Sequence, residues 1–553
     1  MLFKKTIIIF YCLCFLYQVS AQTVPVGAPA VEDRWRMQQL LDSSRIDYSF
    51  TVRPFISASD SLNFGTATSD ATNFIYHAKN FSLRLLPVSS YIQYNGHHPY
   101  GWNDGVVIPS KGYQQKFSAG AFLQWGPLTM QLAPELLYAD VGKFNSFSTH
   151  HSDSVWATYY KMILNVIDQP DQYRHNSYRR FWPGQSSIRL NYKKISLGIS
   201  TENLWWGPGV RNSLIMSNNA PGFEHITFNT RSPLATKIGS FELQVIAGRL
   251  RNSDVLPADT QRRLEGVPLF QPKVNSDRYL NGMIITWQPR WMKGLHLGFS
   301  RVYYQYLNNI PRSFNGYLPI FGAFFKGGSV DENSYGRDQM LSAFFRYIFP
   351  NDHAEMYFEY GRNDHAQNIA DLAMEPEHAS AYLVGFKKLL KRNNQRITEI
   401  MVEATHLQSS STTSLRESNS WYTHHQVRHG YTNYGQLIGA GIGPGSNSQT
   451  IGVNWYRTFR EFGVSFERVV RNNDFYYQLF AGKHNYESHW VDLSVNSHYS
   501  LTRKNIVYRA NVSLIRSLNY QWRYDNGNPL LQAEGNKNVN NVVAGISVSY
   551  LLR

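Results

Sequence analysis

The chain has 553 residues with 54 basic and 39 acidic side chains, so its formal net charge is +15. The basic residues are scattered and form no tail or helix, which argues against a nucleic-acid partner and favours lipopolysaccharide phosphates or acidic polysaccharide. Only 17% of the residues are charged and 15% are aromatic, whereas soluble domains carry about 25% charged residues. After the first 21 residues no apolar run reaches the roughly 20 residues that a membrane-spanning helix needs. A transmembrane β-barrel and a large exported soluble protein remain.

Residues 1–21 predict a secretory signal peptide. Two lysines precede the apolar run Ile7–Tyr17, and Val19–Ala21 supplies the small residues of a cleavage site. Cys12 and Cys14 are the only cysteines in the chain. Because both lie in this segment, we expect an exported mature chain that is stabilised by packing and hydrogen bonds and has no disulfide.

The segment that follows predicts one short helix, Val31–Ser44. Glu32 and Asp33 lie in its first turn, where negative charge interacts favourably with the helix dipole. We therefore expect residues 22–54 to form an N-terminal periplasmic segment with a short helix. Residues 55–553 are expected to form the barrel and its long loops.

Apolar and polar residues alternate in segment after segment of the remaining chain. Ile188, Leu190 and Tyr192 alternate with Arg189 and Asn191. The same pattern recurs in residues 195–200, 241–247, 341–347, 355–360, 491–496 and 506–514. A period of two residues predicts strands. The alternation alone fits both a soluble sandwich with a polar outer face and a barrel with a polar lumen.

The last strand favours the barrel. Apolar residues occupy alternate positions from Val542 to Leu552, the last residue but one. Such a strand closes a barrel against its first strand and removes the free sheet edge. At roughly 25 residues per strand and turn, the chain supplies about 18 strands, which is within the known range. The predicted fold class is all-β: a transmembrane antiparallel β-barrel of about 18 strands with a short N-terminal helical segment.

The connections predict two unequal rims. Short links such as Lys193–Lys194 are expected on the periplasmic side. Long segments are expected outside or folded into the lumen; these are Lys143–Pro183, Arg251–Asp277, Gln305–Gly336 and Gln408–Gly430. One of them predicts a helix from Val155 to Ile167 that ends before Pro170.

No motif of enzymatic or metal chemistry is recognisable. The adjacent histidines at 97–98, 150–151 and 424–425 would point to opposite faces of a strand, and no HExxH, P-loop or GxSxG string occurs. We therefore expect no metal, no cofactor and no enzymatic activity. Glu355 and Glu359 leave a lumen hydrolase as a further hypothesis, because paired carboxylates serve glycosidases.

Two segments, 94–113 and 201–233, combine aromatic rings with amides and charges. Flat rings stack on sugars, while amides, carboxylates and arginine hydrogen-bond hydroxyls. The candidate carbohydrate-binding residues are Tyr100, Trp102, Asn103, Asp104, Trp205, Trp206, Arg211, Asn212, Asn218 and Asn219. Two plainer interpretations stay open. Trp205 and Trp206 also fit an interfacial girdle, and Asn218 and Asn219 also fit turn chemistry.

Three strings carry a resemblance to a known family. HPYGWNDG at His98–Gly105, KGYQ at Lys111–Gln114 and NLWWGPGVRNSLIMSNNAPGF at Asn203–Phe223 resemble the Wzi capsule assembly family. The resemblance covers nearly the whole mature chain. It implies an 18-stranded outer-membrane barrel with an N-terminal periplasmic helical part and a non-enzymatic, lectin-like role in fixing capsule. In the best-known branch that helical part is a bundle, whereas this sequence predicts a single short helix.

These observations predict a protein of the Gram-negative outer membrane. Its predicted function is to bind capsular polysaccharide or exopolysaccharide and to support assembly or attachment of the polymer at the cell surface. The alternatives are an outer-membrane channel for oligosaccharides or other solutes, and the lumen hydrolase. Expected partners are the polysaccharide, outer-membrane lipid and lipopolysaccharide, and the polysaccharide export machinery.

Overall fold

A computed structural model describes most of the chain after the predicted signal peptide, which lies outside the described residues. The described residues are 22–27, 29–42, 45–57, 74–78, 80–173, 177–322, 336–363, 369–393, 396–410, 418–480, 486–523 and 537–551. Within them, no helix has the length and apolar character needed to cross a membrane.

One antiparallel sheet dominates the described residues and contains 22 strand segments. They are Phe74–Ala78, Phe81–Asn95, Gly112–Trp125, Leu128–Leu132, Glu135–Asp140, Ser177–Trp182, Ser187–Tyr192, Ile195–Ser200, His225–Thr230, Leu234–Thr236, Gly239–Leu250, Arg278–Pro289, Leu295–Tyr306, Arg337–Phe349, Ala354–Asn363, Ser380–Asn393, Arg396–His406, Asn447–Arg457, Arg460–Val470, Val491–Arg503, Ile506–Leu518 and Val539–Tyr550. Ser177–Trp182 is a strand, although the sequence analysis placed it in a loop.

Short elements lie in the connections. The paired two- and three-residue strands are Gln22–Val24 with Phe55–Ser57, Val52–Arg53 with Trp205–Trp206, Arg263–Leu264 with Val267–Pro268, and Thr432–Asn433 with Gln436–Leu437. The α-helices are Pro29–Leu41, Asp153–Tyr159, Phe314–Tyr317, Ile369–Met374 and Asn473–Leu479. The described residues also form a π-helix, Tyr160–Leu164, and the 3-10 helices Leu307–Asn309, Pro319–Phe321, Tyr486–Ser488 and Tyr520–Trp522. The helix predicted before Pro170 is confirmed.

The sheet closes on itself. Val539–Tyr550 pairs with Phe81–Asn95, and Phe74–Ala78 continues along the same edge of that strand. Four strands of the ring each consist of two segments, so the described segments close as 18 strands. Closure leaves no free sheet edge, which is how a sheet can reside in lipid. The predicted barrel of about 18 strands is confirmed.

The two faces of the wall differ as a membrane barrel requires. Ile188 and Ile199 are 45% and 64% exposed on the outside, whereas Arg189 and Ser200 are buried on the lumen side. This alternation places apolar residues in lipid and polar residues in the interior of the barrel. The soluble sandwich is therefore excluded for this sheet.

The N-terminal helix Pro29–Leu41 docks against lumen-facing residues. Arg36 Nε donates to Glu355 Oε1 at 2.6 Å, and Arg346 donates to the same carboxylate at 2.5 Å and to Gln39 Oε1 at 2.7 Å. Leu40 packs with Ile348 of the wall. This helix begins two residues before the predicted one and ends at Leu41.

The predicted boundary at residue 55 divides a unit that the structure keeps together. Phe55–Ser57 pairs with Gln22–Val24, and the first described strand of the ring begins at Phe74. The assignment of the N-terminal segment to the periplasm stays a prediction.

We expect Glu355→Ala to lower the free energy of unfolding by about 3–5 kcal/mol, because it leaves two buried guanidinium groups without their carboxylate. Urea unfolding of the folded barrel in detergent measures this change. Glu224→Ala is the control, since the Glu224–Arg251 ion pair is exposed and such pairs contribute about 0–1 kcal/mol. Equal losses in the two variants would contradict the anchoring of the helix by Glu355.

Candidate functional site

Segment 201–224 enters the lumen after strand Ile195–Ser200 and is held there by a wall carboxylate. The backbone N–H groups of Val210, Arg211 and Asn212 donate to the carboxylate of Glu403 at 2.7, 3.1 and 2.9 Å. Successive N–H groups that converge in this way form an anion-binding nest. The lumen wall therefore fixes the backbone of this segment at its centre.

Two glycines permit this approach. Gly207 has φ of +109°, and a Cβ there would stand 2.8 Å from Glu359 Oε2. A Cβ on Gly209 would stand 1.9 Å from the carbonyl oxygen of Asn212. Side chains larger than hydrogen are excluded at both positions because the turn and the close contact need the space. The two glycines of the Gly-Pro-Gly string therefore allow the backbone to form the anion-binding nest.

Three inserted segments, 96–111, 201–224 and 418–446, interlock through side-chain amides, and we call them the loop plug. Asn103 Nδ2 donates to the Arg211 carbonyl at 2.7 Å, and Asn218 Nδ2 donates to the Asn103 carbonyl at 2.7 Å. Asn219 Nδ2 donates to the Leu437 carbonyl at 2.9 Å. Most of the amides that the sequence analysis selected are engaged in this way, because inserted backbone requires partners.

The adjacent tryptophans lie inside the lumen. Trp206 has no exposed surface, and its Nε1 donates to Gln244 Oε1 at 2.8 Å. Trp205 is buried beneath the guanidinium of Arg53, whose Cζ lies 4.5 Å from the ring centroid. The alternative interpretation of these residues as an interfacial girdle is wrong, because both are buried inside the barrel and Trp206 is part of a hydrophobic cluster there. Neither ring has an open face.

Arg211 is a charged candidate residue whose side chain stays partly in contact with solvent. Its guanidinium donates to both carboxylate oxygens of Glu467, at 2.9 Å to the nearer, while 34% of its side chain stays exposed. Its Cζ lies 5.1 Å from the ring centroid of Trp102. Arg471 lies near Trp102 and Tyr100, at 5.5 and 5.6 Å. Trp102 therefore makes cation–π contacts with both guanidinium groups, and Tyr100 makes one with that of Arg471.

Two further candidate residues, Asp104 and Asn212, lie next to Arg211. Asp104 is half-buried and accepts from Gln93 Nε2 at 3.3 Å. Burial raises the pKa of the Asp104 carboxyl above its ordinary value, and the Gln93 hydrogen bond opposes this effect. Asn212 is fully enclosed, and its Nδ2 donates to Thr405 Oγ1 at 3.2 Å.

The plug fills the lumen unevenly. Lumen-facing residues of strands Gly239–Leu250 through Ala354–Asn363, such as Ile284 and Tyr357, are completely buried beneath it. On the opposite wall a strip of lumen-facing residues stays partly exposed, together with Arg211 of the plug. We call this strip the lumen crevice; its residues are Tyr91, Lys116, Arg211, Asn454, Ser465, Asn496, His498, Arg509, Asn511 and Ser513. Nothing in the alternation distinguishes these strands from the others, so the sequence analysis missed them.

Basic side chains of the lumen crevice lie against carboxylates behind them. His498 Nε2 and Arg509 Nη1 lie 2.8 and 3.5 Å from Glu461 Oε1. Lys116 Nζ lies 3.6 Å from Glu135. Such pairing holds the donors in place and leaves other N–H groups for a ligand, since guanidinium has five. The crevice can therefore hydrogen-bond hydroxyls and carboxylates along one wall.

The paired carboxylates of the hydrolase hypothesis are enclosed. Glu355 is ion-paired with Arg36 and Arg346, and Glu359 accepts from the Leu214 N–H at 3.5 Å. Both glutamates have no exposed surface, so they cannot meet a sugar chain in this arrangement. In the described part of the chain, no group of three or more His, Cys, Asp or Glu residues is placed to hold a metal ion.

Closed strands, an apolar outer face and a polar, plugged lumen define the class as an outer-membrane β-barrel. The family model for capsule assembly protein Wzi matches residues 100–509, and the chain belongs to that family. No curated protein is significantly similar to this chain.

The fold is shared with one solved structure described next, and two further solved structures match this chain less well. The Escherichia coli outer-membrane protein Wzi, described as a carbohydrate-binding barrel involved in group 1 capsule assembly, is 13% identical, with a TM-score of 0.59 over 96% of this chain and 100% of that one. Acinetobacter baumannii OccAB2 is 12% identical, with a TM-score of 0.40 over 84% and 97% of the two chains. Pseudomonas aeruginosa OpdQ is 9% identical, with a TM-score of 0.39 over 84% and 97%.

We expect Trp206→Ala to lower the free energy of unfolding by about 3–5 kcal/mol, because it leaves a cavity where a fully buried ring was. The matched control is Trp291→Ala. Trp291 is 72% exposed at the short-turn end, and its loss should cost about 1 kcal/mol. Urea unfolding compares the two variants. Similar costs would mean that Trp206 does not pack as described.

We expect Glu202→Gln to reduce the dependence of stability on pH below about 4.5. Burial alone would raise the pKa of Glu202, but Arg189, 2.6 Å away, and hydrogen bonds from Thr23 and Ser200 hold this pKa below the ordinary 4.5. The stabilisation is therefore present above pH 4.5 and is lost as the pH falls through the folded-state pKa. Unfolding midpoints between pH 3 and 7 test this. Acid sensitivity that is the same in wild type and variant would exclude Glu202 as its source.

Proposed function

We propose that this protein binds capsular polysaccharide or exopolysaccharide in the lumen crevice and supports assembly or attachment of the polymer at the cell surface, without catalysing a reaction. The observation that carries the proposal is the uneven plug, which leaves one polar wall of the lumen open to solvent beside Arg211. Membership of the capsule assembly family supports it.

The chemistry of the crevice suits a sugar chain. Hydroxyls need amide, hydroxyl and guanidinium partners, and the wall offers Asn454, Asn496 and Asn511 together with Arg509. Cationic groups also favour polymers with carboxylate or phosphate substituents. Because strand residues of the same face repeat every two positions, these partners form a track rather than a single pocket.

The ten selected residues divide into three groups in this proposal. Arg211 contacts the ligand in the lumen crevice and Asp104 lies beside it. Trp102 and Asn103 position Arg211, and Tyr100 packs against Trp102. Trp205, Trp206, Asn212, Asn218 and Asn219 act on the ligand only through the plug they stabilise.

We expect Arg211→Ala and Asn511→Ala each to weaken binding by about 5-fold, which corresponds to about 1 kcal/mol for one lost hydrogen-bonding side chain. Purified wild type and variants are titrated with a panel of neutral and acidic surface polysaccharides. Lys193→Ala is the control because it removes a positive charge at an exposed short turn. Unchanged affinity in both crevice variants would move the binding site elsewhere.

The cellular outcome is a separate test. Deletion of the gene should leave the polymer synthesised but shed into the medium, and Arg211→Ala should reproduce part of this loss. Cell-bound polysaccharide at the wild-type amount after deletion would contradict a role in attachment.

A solute channel is the second candidate function, and the same open wall favours it. A water-filled strip beside a plug would conduct ions or oligosaccharides if it continued through the barrel. Single-channel recording in planar bilayers distinguishes the two candidates. A steady open conductance without affinity for polysaccharide would favour the channel.

Lipopolysaccharide and the export machinery remain proposed partners. The docked helix Pro29–Leu41 packs against Ile348 and Leu389 near the short-turn end of the barrel, where a periplasmic partner would arrive.

A further inference from the structure

A polar patch faces outward on a wall that is otherwise apolar. The wall formed by strands Arg278–Pro289, Leu295–Tyr306 and Arg337–Phe349 has apolar outward residues such as Met283 and Leu297. Further along these strands the outward positions carry polar side chains. We call these side chains the outer-wall patch: Asn281, Arg301, Tyr303, Gln305 and Gln339. The alternate residues Val302 and Tyr304 face the plug. All five patch residues are nonetheless buried, so protein covers them from outside.

The patch lies at membrane depth. Trp287, which contacts Trp291 at 5.5 Å, marks the short-turn end of the same wall. Asn281 is six residues further along that strand, about 20 Å along it and about 15 Å along the barrel axis at the usual tilt. The apolar band of such barrels is about 25 Å tall. An uncovered Arg301, opposite Met283, would stand near the middle of that band, where a lipid-facing arginine is strongly unfavourable.

Segment Leu307–Gly322 covers Arg301 and Asn281 of this patch, and we call it the flap. Arg301 Nη1 donates to the carbonyls of Ile320 and Gly322 at 3.4 and 3.1 Å. The Ile320 N–H donates to Asn281 Oδ1 at 3.4 Å, and Ile320 is 1% exposed. The flap therefore leaves the long-loop rim and descends along the outside of the barrel.

The other side of the flap is aromatic and exposed. Phe314, Tyr317 and Phe321 are 66%, 52% and 57% exposed, and the rings of Phe314 and Phe321 stack at 6.4 Å. Arg312 is exposed beside them. The Tyr317 carbonyl accepts from the hydroxyl of outward-facing Tyr279, two residues above Asn281, so the aromatic side is continuous with the lipid-facing wall. Aromatic rings with a nearby cation are typical of the membrane interface.

We propose that the flap is a docking surface for lipopolysaccharide. Long loops mark the extracellular end of such barrels, so the flap lies in the outer leaflet, where lipopolysaccharide resides. Phe314, Tyr317 and Phe321 contact its acyl chains, and Arg312 binds its phosphates. The flap thus both shields the outer-wall patch and holds the barrel against its lipid.

Single cysteines test the placement, since the chain has no cysteine after Cys14. The full-length protein carrying Phe314→Cys or Phe321→Cys is labelled with a small fluorophore and reconstituted into vesicles containing lipopolysaccharide. A quencher attached to acyl chains should remove most of the emission at both positions. Ile226→Cys, on the lipid-facing wall, is the positive control, and Val267→Cys, on an exposed loop hairpin, is the aqueous control.

Quenching only by aqueous iodide, as expected for Val267→Cys, would overturn the proposal. Quenching that is equal in vesicles of phospholipid alone would show contact with lipid in general and overturn the assignment to lipopolysaccharide. Arg312→Ala should then reduce the retention of lipopolysaccharide through purification, with Lys193→Ala as the charge-matched control. None of these readings depends on polysaccharide binding, so they succeed or fail independently of the proposed function.

Discussion

Buried carboxylates on the lumen wall hold segment 201–224 and the N-terminal helix inside this barrel. Glu403 binds three backbone N–H groups of segment 201–224, Glu467 binds Arg211, and Glu355 binds Arg36 of the N-terminal helix. Each acid is enclosed, and removal of its partner would leave an uncompensated charge, which is strongly unfavourable. The wall and its contents are therefore specified together, and the inserted segments cannot shift without breaking several such pairs.

This arrangement explains why the aromatic and amide content of segment 201–233 is so high. Backbone that enters a lumen loses water and must find other partners. Asn103, Asn218 and Asn219 satisfy neighbouring carbonyls, and Trp206 fills the space between segment and wall. A composition that suggests sugar recognition in an exposed loop is here largely the composition of a packed plug. The proposed polar surface for a ligand lies instead at Arg211 and the wall beside it.

The local patterns predicted the fold, while the site needed the three-dimensional arrangement. Alternation over residues 188–200 and the stripe from Val542 onward indicated strands and closure, because both are short-range signals. The lumen crevice could not be found in this way. His498 and Arg509 follow the same alternation as buried Arg189, and their exposure depends on where distant segments pack. The outer-wall patch was missed for the same reason: Arg301 breaks the apolar pattern, and only the flap explains why it is tolerated.

The position of the crevice has a consequence for biogenesis. Its wall comes from Phe81–Asn95 and Gly112–Trp125 near one end of the chain and from strands after Asn447 near the other, while Arg211 comes from the middle. The seam between Val539–Tyr550 and Phe81–Asn95 runs through this wall. The crevice is consequently incomplete in a partial barrel and forms only when the last strand pairs with the first. For the binding site proposed above, this means that the site is complete only once the barrel has closed.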